Sequence, residues 1–355
     1  MVGCAATGRS LAKRPGTFYG MIKSPHEGLR EAGLSAAPGA IGDAPAGGAF
    51  SIFHEPWWLD IATDRRWGEA RVEQGGATLG RLPYPLGKLY GYPVSTEPSL
   101  IRTLGPAIPE LPGKPYAASR RRMEITHALI DQLPPLDYFE QLFDPRVADA
   151  IAFAHRGFVI GATYCFRFAQ GRSEQSIWSD MYDRRRRVIR AAQAELVVAP
   201  ITDVEEFSSF YDSNVEPEGN IHGKARMRTL LDAVLTRGAG LLLGARTCTG
   251  ELAAAVGLVW DSSAMYYLLG TRRADLAHGG AMSLLLWEGI RLACQRGVIF
   301  DLDGITTPAA LQFLAGFGGT LTQRLRVRRQ SRRFRLINMP ISIFNGSFAR
   351  HSPKA

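Results

Sequence analysis

From about residue 50 onward the chain alternates between two hydrophobic rhythms. Spacings of three and four residues, which collect on one helical face, group Phe53, Trp57, Trp58 and Ile61 in FSIFHEPWWLD. The same rhythm predicts helices near residues 121–132 and 145–155. It also predicts one long helix in SEQSIWSDMYDRRRRVIRAAQA, capped by Ser173, with Trp178, Met181, Tyr182, Arg185, Ile189 and Ala192 as its stripe. Further helices are expected in VEEFSSFYDSN, ARMRTLLDAVLTRG, residues 281–296 and PAALQFLAGF. The second rhythm is extended. EARVEQGGATLGRLPY reads as a hairpin turning at Gly75 and Gly76, and GLLLGART with LAAAVGLVWD as another around Thr249 and Gly250. Single strands are predicted in GFVIGATYCFRF, LVVAP, AMYYLLGTRR, VIFDLDGI and TLTQRLRVRR, and the Pro- and Gly-rich passage from Pro83 to Pro115 reads as loop with short strands at most.

This mixed order is that of an α/β protein. Helix followed by glycine-turn hairpin opens both halves, which hints at an internal duplication. The expected organisation is a flexible leader over residues 1–48, a first domain over 49–200, a second over 201–338 and a basic, apolar tail over 339–355. With 355 residues, 46% of them hydrophobic, such a chain can bury two cores. No window approaches the roughly 18 uninterrupted apolar residues of a membrane span, and the first thirty residues lack the apolar stretch of a secretory signal. A cytoplasmic location is therefore expected. Cys4, Cys165, Cys248 and Cys294 are widely spaced, and the seven histidines show no metal-ligand spacing, so neither a disulfide framework nor a metal site is expected.

The net charge of +9 is local in origin. After Asp303 there is no acidic residue, while Arg324, Arg326, Arg328, Arg329, Arg332, Arg333, Arg335, Arg350 and Lys354 follow. In TLTQRLRVRR the alternation sets Leu325 and Val327 inward and Arg324, Arg326 and Arg328 onto a wet face. Beyond it, RRFRLINMPISIF mixes arginine with Phe334, Leu336, Ile337 and Ile341. That composition suits peripheral contact with an anionic membrane at its inner face, the competing reading being a tail docked on the body.

One joint stands out. In HGGAMSLLLWEGI two glycines precede an apolar run long enough to be a buried helix. The first turn of a helix carries unpaired N–H donors and the positive end of its dipole, and small residues let a phosphate approach them. The plainer reading is a chain turn after a strand.

Together YYLLGTRR, HGGAMSLLLWEGIRLACQRG, FDLDGI, GFGGTL and the upstream helix ending RRRRVIRAA resemble the GNAT superfamily of acyltransferases. The resemblance is to the branch related to Fem-type peptidyltransferases and cellulose-biosynthesis acetyltransferase-like proteins. It implies two tandem GNAT-like domains, each a mixed twisted sheet flanked by helices. It also implies that His278, Gly279, Gly280 and Ala281 hold the pyrophosphate of an acyl-CoA donor such as acetyl-CoA, with Leu276 standing where the family pattern has a polar residue. The implied activity is N-acylation of an amino group on a sugar or surface-polysaccharide precursor, small or lipid-linked. A Fem-type aminoacyl-tRNA donor, or a non-catalytic assembly protein, are the alternatives; apart from that tRNA, no nucleic-acid partner is expected.

Acyl transfer to an amine needs the amine neutral and the developing oxyanion stabilised. Asp301 and Asp303, two apart on a predicted strand and so on one face, can orient an amine or take its proton; the competing reading is a turn contact at Gly304 and a solvated carboxylate. Tyr266 and Tyr267 face opposite ways, so one can enter the core while the other faces a cleft; the competing reading packs both in the core. His222 and Lys224, in the loop GNIHGK, suit an anionic acceptor, the competing reading being a solvated loop. Arg184, Arg187 and Arg190 recur every third residue as a basic ridge, which the resemblance places where substrate binds, through Arg187 and Arg190; the competing reading is a solvated helical face. Glu288 is expected to pair with Arg291 on its helix. The tyrosine proton donor common in simple GNAT enzymes has Phe313 in its place.

Overall fold

The computed structural model describes residues 50–215, 220–275, 279–305 and 307–337. The predicted leader, His278 and the predicted tail lie outside these residues. A short 3-10 turn, Ile52–His54, leads into α1 (Pro56–Ala62), and Gly75–Gly76 folds β1 (Trp67–Gln74) onto β2 (Ala77–Pro85) as a separate two-stranded sheet. Short strands β3 (Gly87–Leu89) and β4 (Tyr92–Thr96), helix α2 (Pro115–Asp131), β5 (Tyr138–Leu142), α3 (Ile151–His155) and β6 (Val159–Phe168) complete the first segment's framework. Then come α4 (Glu174–Asp180), α5 (Asp183–Glu195), β7 (Val197–Pro200), α6 (Val204–Asn214), α7 (Lys224–Thr236), β8 (Gly240–Arg246), β9 (Leu252–Trp260) and β10 (Ala264–Arg272). The last elements are α8 (Ala281–Arg296), β11 (Ile299–Gly304), α9 (Pro308–Ala315) and β12 (Thr320–Gln330).

Ten strands form one mixed sheet in the order β3-β4-β5-β12-β6-β11-β10-β9-β8-β7. Its two parallel neighbours are β4 with β5 and β10 with β11. Each pair is joined across a helix, α2 in the first and α8 in the second, so one strand-helix-strand unit occurs twice, as the tandem expectation requires. The two segments interleave, because β12, from the end of the described chain, lies between β5 and β6.

Alternate residues of the central strands feed opposite faces of the sheet. Leu258, Phe300 and Leu302 meet α4, α5 and α8 through Ile177, Ile189, Leu285 and Ile290. Val259, Tyr266 and Leu268 meet α1, α6 and α7 through Trp58, Phe207 and Leu230. A third core joins β2, α2 and β5 through Leu82, Ile125, Leu129 and Phe139.

Two expectations change. The single helix predicted over residues 173–194 is broken, since Met181 and Tyr182 are extended and the Tyr182 N–H donates to the Gly316 carbonyl at 3.1 Å. Met181 stays in the core, as the stripe predicts, whereas Tyr182 turns out to solvent. The wet face expected of the last strand fails at Arg324, which is only 2% exposed and pairs with Asp303 at 3.2 Å.

Candidate active site

Strands β10 and β11 run side by side for three residues only: Ala264 opposite Ile299, Met265 opposite Phe300 and Tyr266 opposite Asp301. Beyond them each strand follows its other neighbour. On β10 an additional residue, Leu268, leaves the ladder with β9 between Tyr267 and Leu269, and such a bulge bends and twists its strand. On β11 the register with β6 slips between Asp301 and Gly304. There Asp303 takes a left-handed φ of 65°, a conformation aspartate tolerates better than most residues. The Asp303 N–H donates to Asp301 Oδ1 at 2.8 Å and fixes the turn. A V-shaped opening between the strand ends is the consequence.

Arginines from three elements converge on it. Arg102, in the loop before α2, donates to the Leu268 carbonyl and brings Nε to 3.1 Å from Asp303 Oδ2, so one guanidinium bridges both limbs of the V. Arg324 of β12 lies 3.2 Å from Asp303 Oδ1, and Arg167 of β6 pairs with Asp301 Oδ2 at 3.0 Å. Three guanidiniums face two carboxylates. Burial pushes both carboxyls up; at Asp303 the charges of Arg102 and Arg324 outweigh it and hold the group below the usual carboxylate range. At Asp301 burial prevails over Arg324 and Arg167, and the carboxyl sits above that range. Cys165, beside Asp301, is pushed up to about 12 by burial first and by that carboxylate second, which keeps it a thiol.

Tyr266 enters the core and donates to Asp261 Oδ2 at 3.1 Å. Tyr267, on the other face of the strand, is half-buried against the core that carries α8 and lies within reach of the charges of Arg102 and Asp303. A methyl group at position 270 would overlap its hydroxyl, so Gly270 is what lets the ring lie along the strand. No described residue hydrogen-bonds that hydroxyl. Burial, with Tyr211 next, raises its pKa. His222 is buried, with Nδ1 2.8 Å from Ser99 Oγ and its ring 6.1 Å from that of Tyr211. Burial and the Arg102 charge push it from 6.5 to about 4, so it is neutral at pH 7. Lys224 turns outward to Asp212, at 3.3 Å. The fold thus brings Asp301, Asp303, Tyr267 and His222 around Arg102 and leaves Lys224 outside.

The glycine joint before α8 has two different halves. A Cβ at Gly280 would stand 2.8 Å from the Val188 carbonyl and 2.9 Å from Ala192 Cβ, so this glycine permits close packing of α8 on α5. At Gly279 a Cβ would meet no described residue within 4 Å. The N-cap of α8, Gly280, supplies no side-chain hydrogen bond, and Ala281 is buried behind it. Arg185 stacks on Phe313 and Phe317 and donates to Ser283 Oγ at 2.5 Å, which sets a cation beside the first turn. Arg184, Arg187 and Arg190 are exposed along α5, with Arg190 5.5 Å over Trp178. Glu288 pairs with Arg291 at 2.8 Å, as expected.

Arg102, Arg167, Arg324 and Tyr211 were not singled out by sequence reasoning. Arg102 lies in a passage read as loop, with no periodic signal. Arg324 carried one, the alternation of its strand, but alternation names a face and not what covers it. Among the described residues no three His, Cys, Asp or Glu side chains group as metal ligands, and no helix is long and apolar enough to cross a membrane.

Residues 179–308, from the end of α4 through the V to the start of α9, match the family model described as an acetyltransferase (GNAT) domain. No curated protein matches the sequence. Among solved structures, FemX is 12% identical and superposes with a TM-score of 0.59 over 91% of this chain and 98% of its own. The C-terminal domain of a putative lysylphosphatidylglycerol synthetase from Agrobacterium fabrum is 11% identical, over 80% of this chain and 94% of its own, with a TM-score of 0.48. A tandem GNAT protein from the clavulanic acid biosynthesis pathway is 12% identical, over 77% and 93%, with a TM-score of 0.43. At these identities the likeness is one of fold, and of the three FemX alone exceeds 0.5. Residues 179–308 therefore match a GNAT acetyltransferase domain, and the chain as a whole has the fold of FemX.

Proposed function

We infer that the protein is an acyltransferase that takes an acyl-CoA donor at the start of α8 and passes its acyl group, within the V between β10 and β11, to an amine. The acceptor class we assign is an amino sugar of a surface-polysaccharide or envelope precursor. The observation that carries this reading is the separation of β10 from β11 by the Leu268 bulge and the Asp303 turn, beside a helix start left uncapped and open at Gly279. The N–H groups that a first helical turn leaves without intrahelical partners, with Arg184 and Arg187 on the neighbouring helix, suit the pyrophosphate.

In the cleft the acceptor nitrogen attacks the thioester carbonyl, a C–N bond forms, the C–S bond breaks, and the proton shed by the nitrogen ends on the departing sulfur, which leaves as the thiol. The excess of guanidinium over carboxylate disfavours a further cation and so keeps the amine neutral. Asp303, held ionised and partly open to the cleft, accepts a hydrogen bond from that amine and orients it. Asp301, enclosed, acts through it as a positioning residue by holding the Asp303 N–H. Tyr267 contributes its free hydroxyl and His222 its neutral ring to acceptor contacts.

The test is turnover of acetyl-CoA against a panel of amino sugars, followed by thiol release. Asp303→Asn is expected to lower kcat/KM by about 100-fold, the scale of a lost positioning group, with acetyl-CoA affinity unchanged. Absence of turnover with every acyl-CoA in a folded protein would remove the reading. A second reading keeps the fold and takes the acyl group from aminoacyl-tRNA, favoured by the exposed row of Arg184, Arg187 and Arg190, which fits a longer polyanion than a pyrophosphate. Salt-sensitive binding of charged tRNA, with indifference to acetyl-CoA, would select it.

A further inference from the structure

A different surface forms at the opposite edge of the sheet. β3 is the edge strand, and its hairpin with β4 turns at Tyr90 and Gly91. Leu89 and Tyr90 are 42% and 62% exposed, and Lys88 beside them is exposed too. Tyr90 holds a φ of 52°, a left-handed conformation unfavourable for a bulky residue, while its ring meets solvent rather than core. After β12 the chain turns helical over residues 332–337, with Ser331 Oγ accepting from the Phe334 N–H at 3.1 Å. Phe334 is buried and fastens this turn to the hairpin, its ring 5.3 Å from Tyr138 and 6.0 Å from Tyr92. Arg333 lies over Tyr92 and pairs with Asp137 at 2.5 Å, which offsets that carboxylate. Outward remain Arg332, Arg335, Leu336 at 68% exposure and Ile337 at 36%.

Two segments remote in sequence are thus pinned together so that aliphatic and aromatic side chains emerge among cations. The later segment belongs to a stretch without one acidic residue after Asp303. We propose that this surface, formed by Lys88, Leu89 and Tyr90 with Arg332, Arg335, Leu336 and Ile337, docks the protein on an anionic phospholipid bilayer. The arginines and Lys88 face the headgroups, Tyr90 lies at the interface and the aliphatic side chains enter its outer acyl layer. A nucleic acid would satisfy the cations and stack on Tyr90 but leave Leu89, Leu336 and Ile337 in water. The apolar half of the surface therefore selects lipid. The proposal does not depend on which acyl donor the cleft uses.

The experiment is co-sedimentation of the full chain with vesicles of phosphatidylcholine alone and with roughly a third phosphatidylglycerol, the range in which surface potential governs binding. Binding is expected to be at least about tenfold stronger with phosphatidylglycerol. Two double variants, Leu89→Ser with Tyr90→Ser and Arg332→Glu with Arg335→Glu, should each weaken it about tenfold or more while thermal unfolding stays as in the parent. No preference for anionic vesicles overturns the proposal. So does a hairpin variant that binds like the parent, since the hairpin then has no part in it. Capture by tRNA without vesicle binding overturns it in favour of a nucleic-acid partner.

Discussion

The helix start at α8 and the cleft between β10 and β11 are two ends of one proposed site, built by opposite means. At the helix start the chain withholds side chains: Gly280 lets the helix lie against α5, and no described residue lies within 4 Å of a Cβ at Gly279. In the cleft it supplies long ones, with Arg102, Arg167 and Arg324 arriving from three elements to meet Asp301 and Asp303. Backbone donors and small residues make a site for any phosphate that fits. Interlocked charges make one whose shape and protonation are set in advance, which is what selecting and orienting an acceptor requires.

The largest effect is expected where a buried charge loses its partner. Arg324→Ala should cost about 3–5 kcal/mol in urea unfolding, since Asp303 then keeps one guanidinium in an enclosed site. A cost below about 1 kcal/mol would mean that the cleft does not rely on its ion pairs. Next comes acid sensitivity. His222 binds its proton more weakly folded than unfolded, 6.5 falling to about 4, so the unfolded state takes up the proton first as pH drops. Stability is full above about 6.5 and is lost toward about 4, by an amount on the order of 3 kcal/mol. His54, also lowered to about 4 by burial, contributes a similar loss. His222→Gln should therefore remove roughly half of the decline in unfolding midpoint between neutral and acid pH; an unchanged decline would place the sensitivity elsewhere. Smaller still is the contrast between the glycines. Gly280→Val should cost about 1–3 kcal/mol through collision with Val188, whereas Gly279→Val should stay within about 0.5 kcal/mol of the parent in the same thermal melts. Equal costs would erase the distinction between a packing glycine and an open one.

The same contrast explains what was legible in the sequence. The α8 helix appears at its expected bounds, residues 281–296, because an apolar run after two glycines is a local signal. The hairpins around Gly75 and around Gly250, and the strand FDLDG, were equally local. The two parallel pairs follow from element order, but the insertion of β12 between β5 and β6 does not, since pairing over such separations leaves no trace in periodicity. Asp303 was named from the sequence but its conformation was not: alternation assumed a regular strand where a left-handed residue ends one. Arg102 sits among prolines and glycines and acquires a role only once the fold lays it across the V.

The most direct measurement is calorimetric titration of acetyl-CoA into the parent protein and into Gly279→Trp, a substitution at the position where a Cβ meets no described residue within 4 Å. The account predicts saturable binding to the parent and loss of at least about tenfold in affinity for the variant, with its unfolding temperature preserved. Equal affinity in both proteins, or no binding to either while the fold is intact, would contradict it.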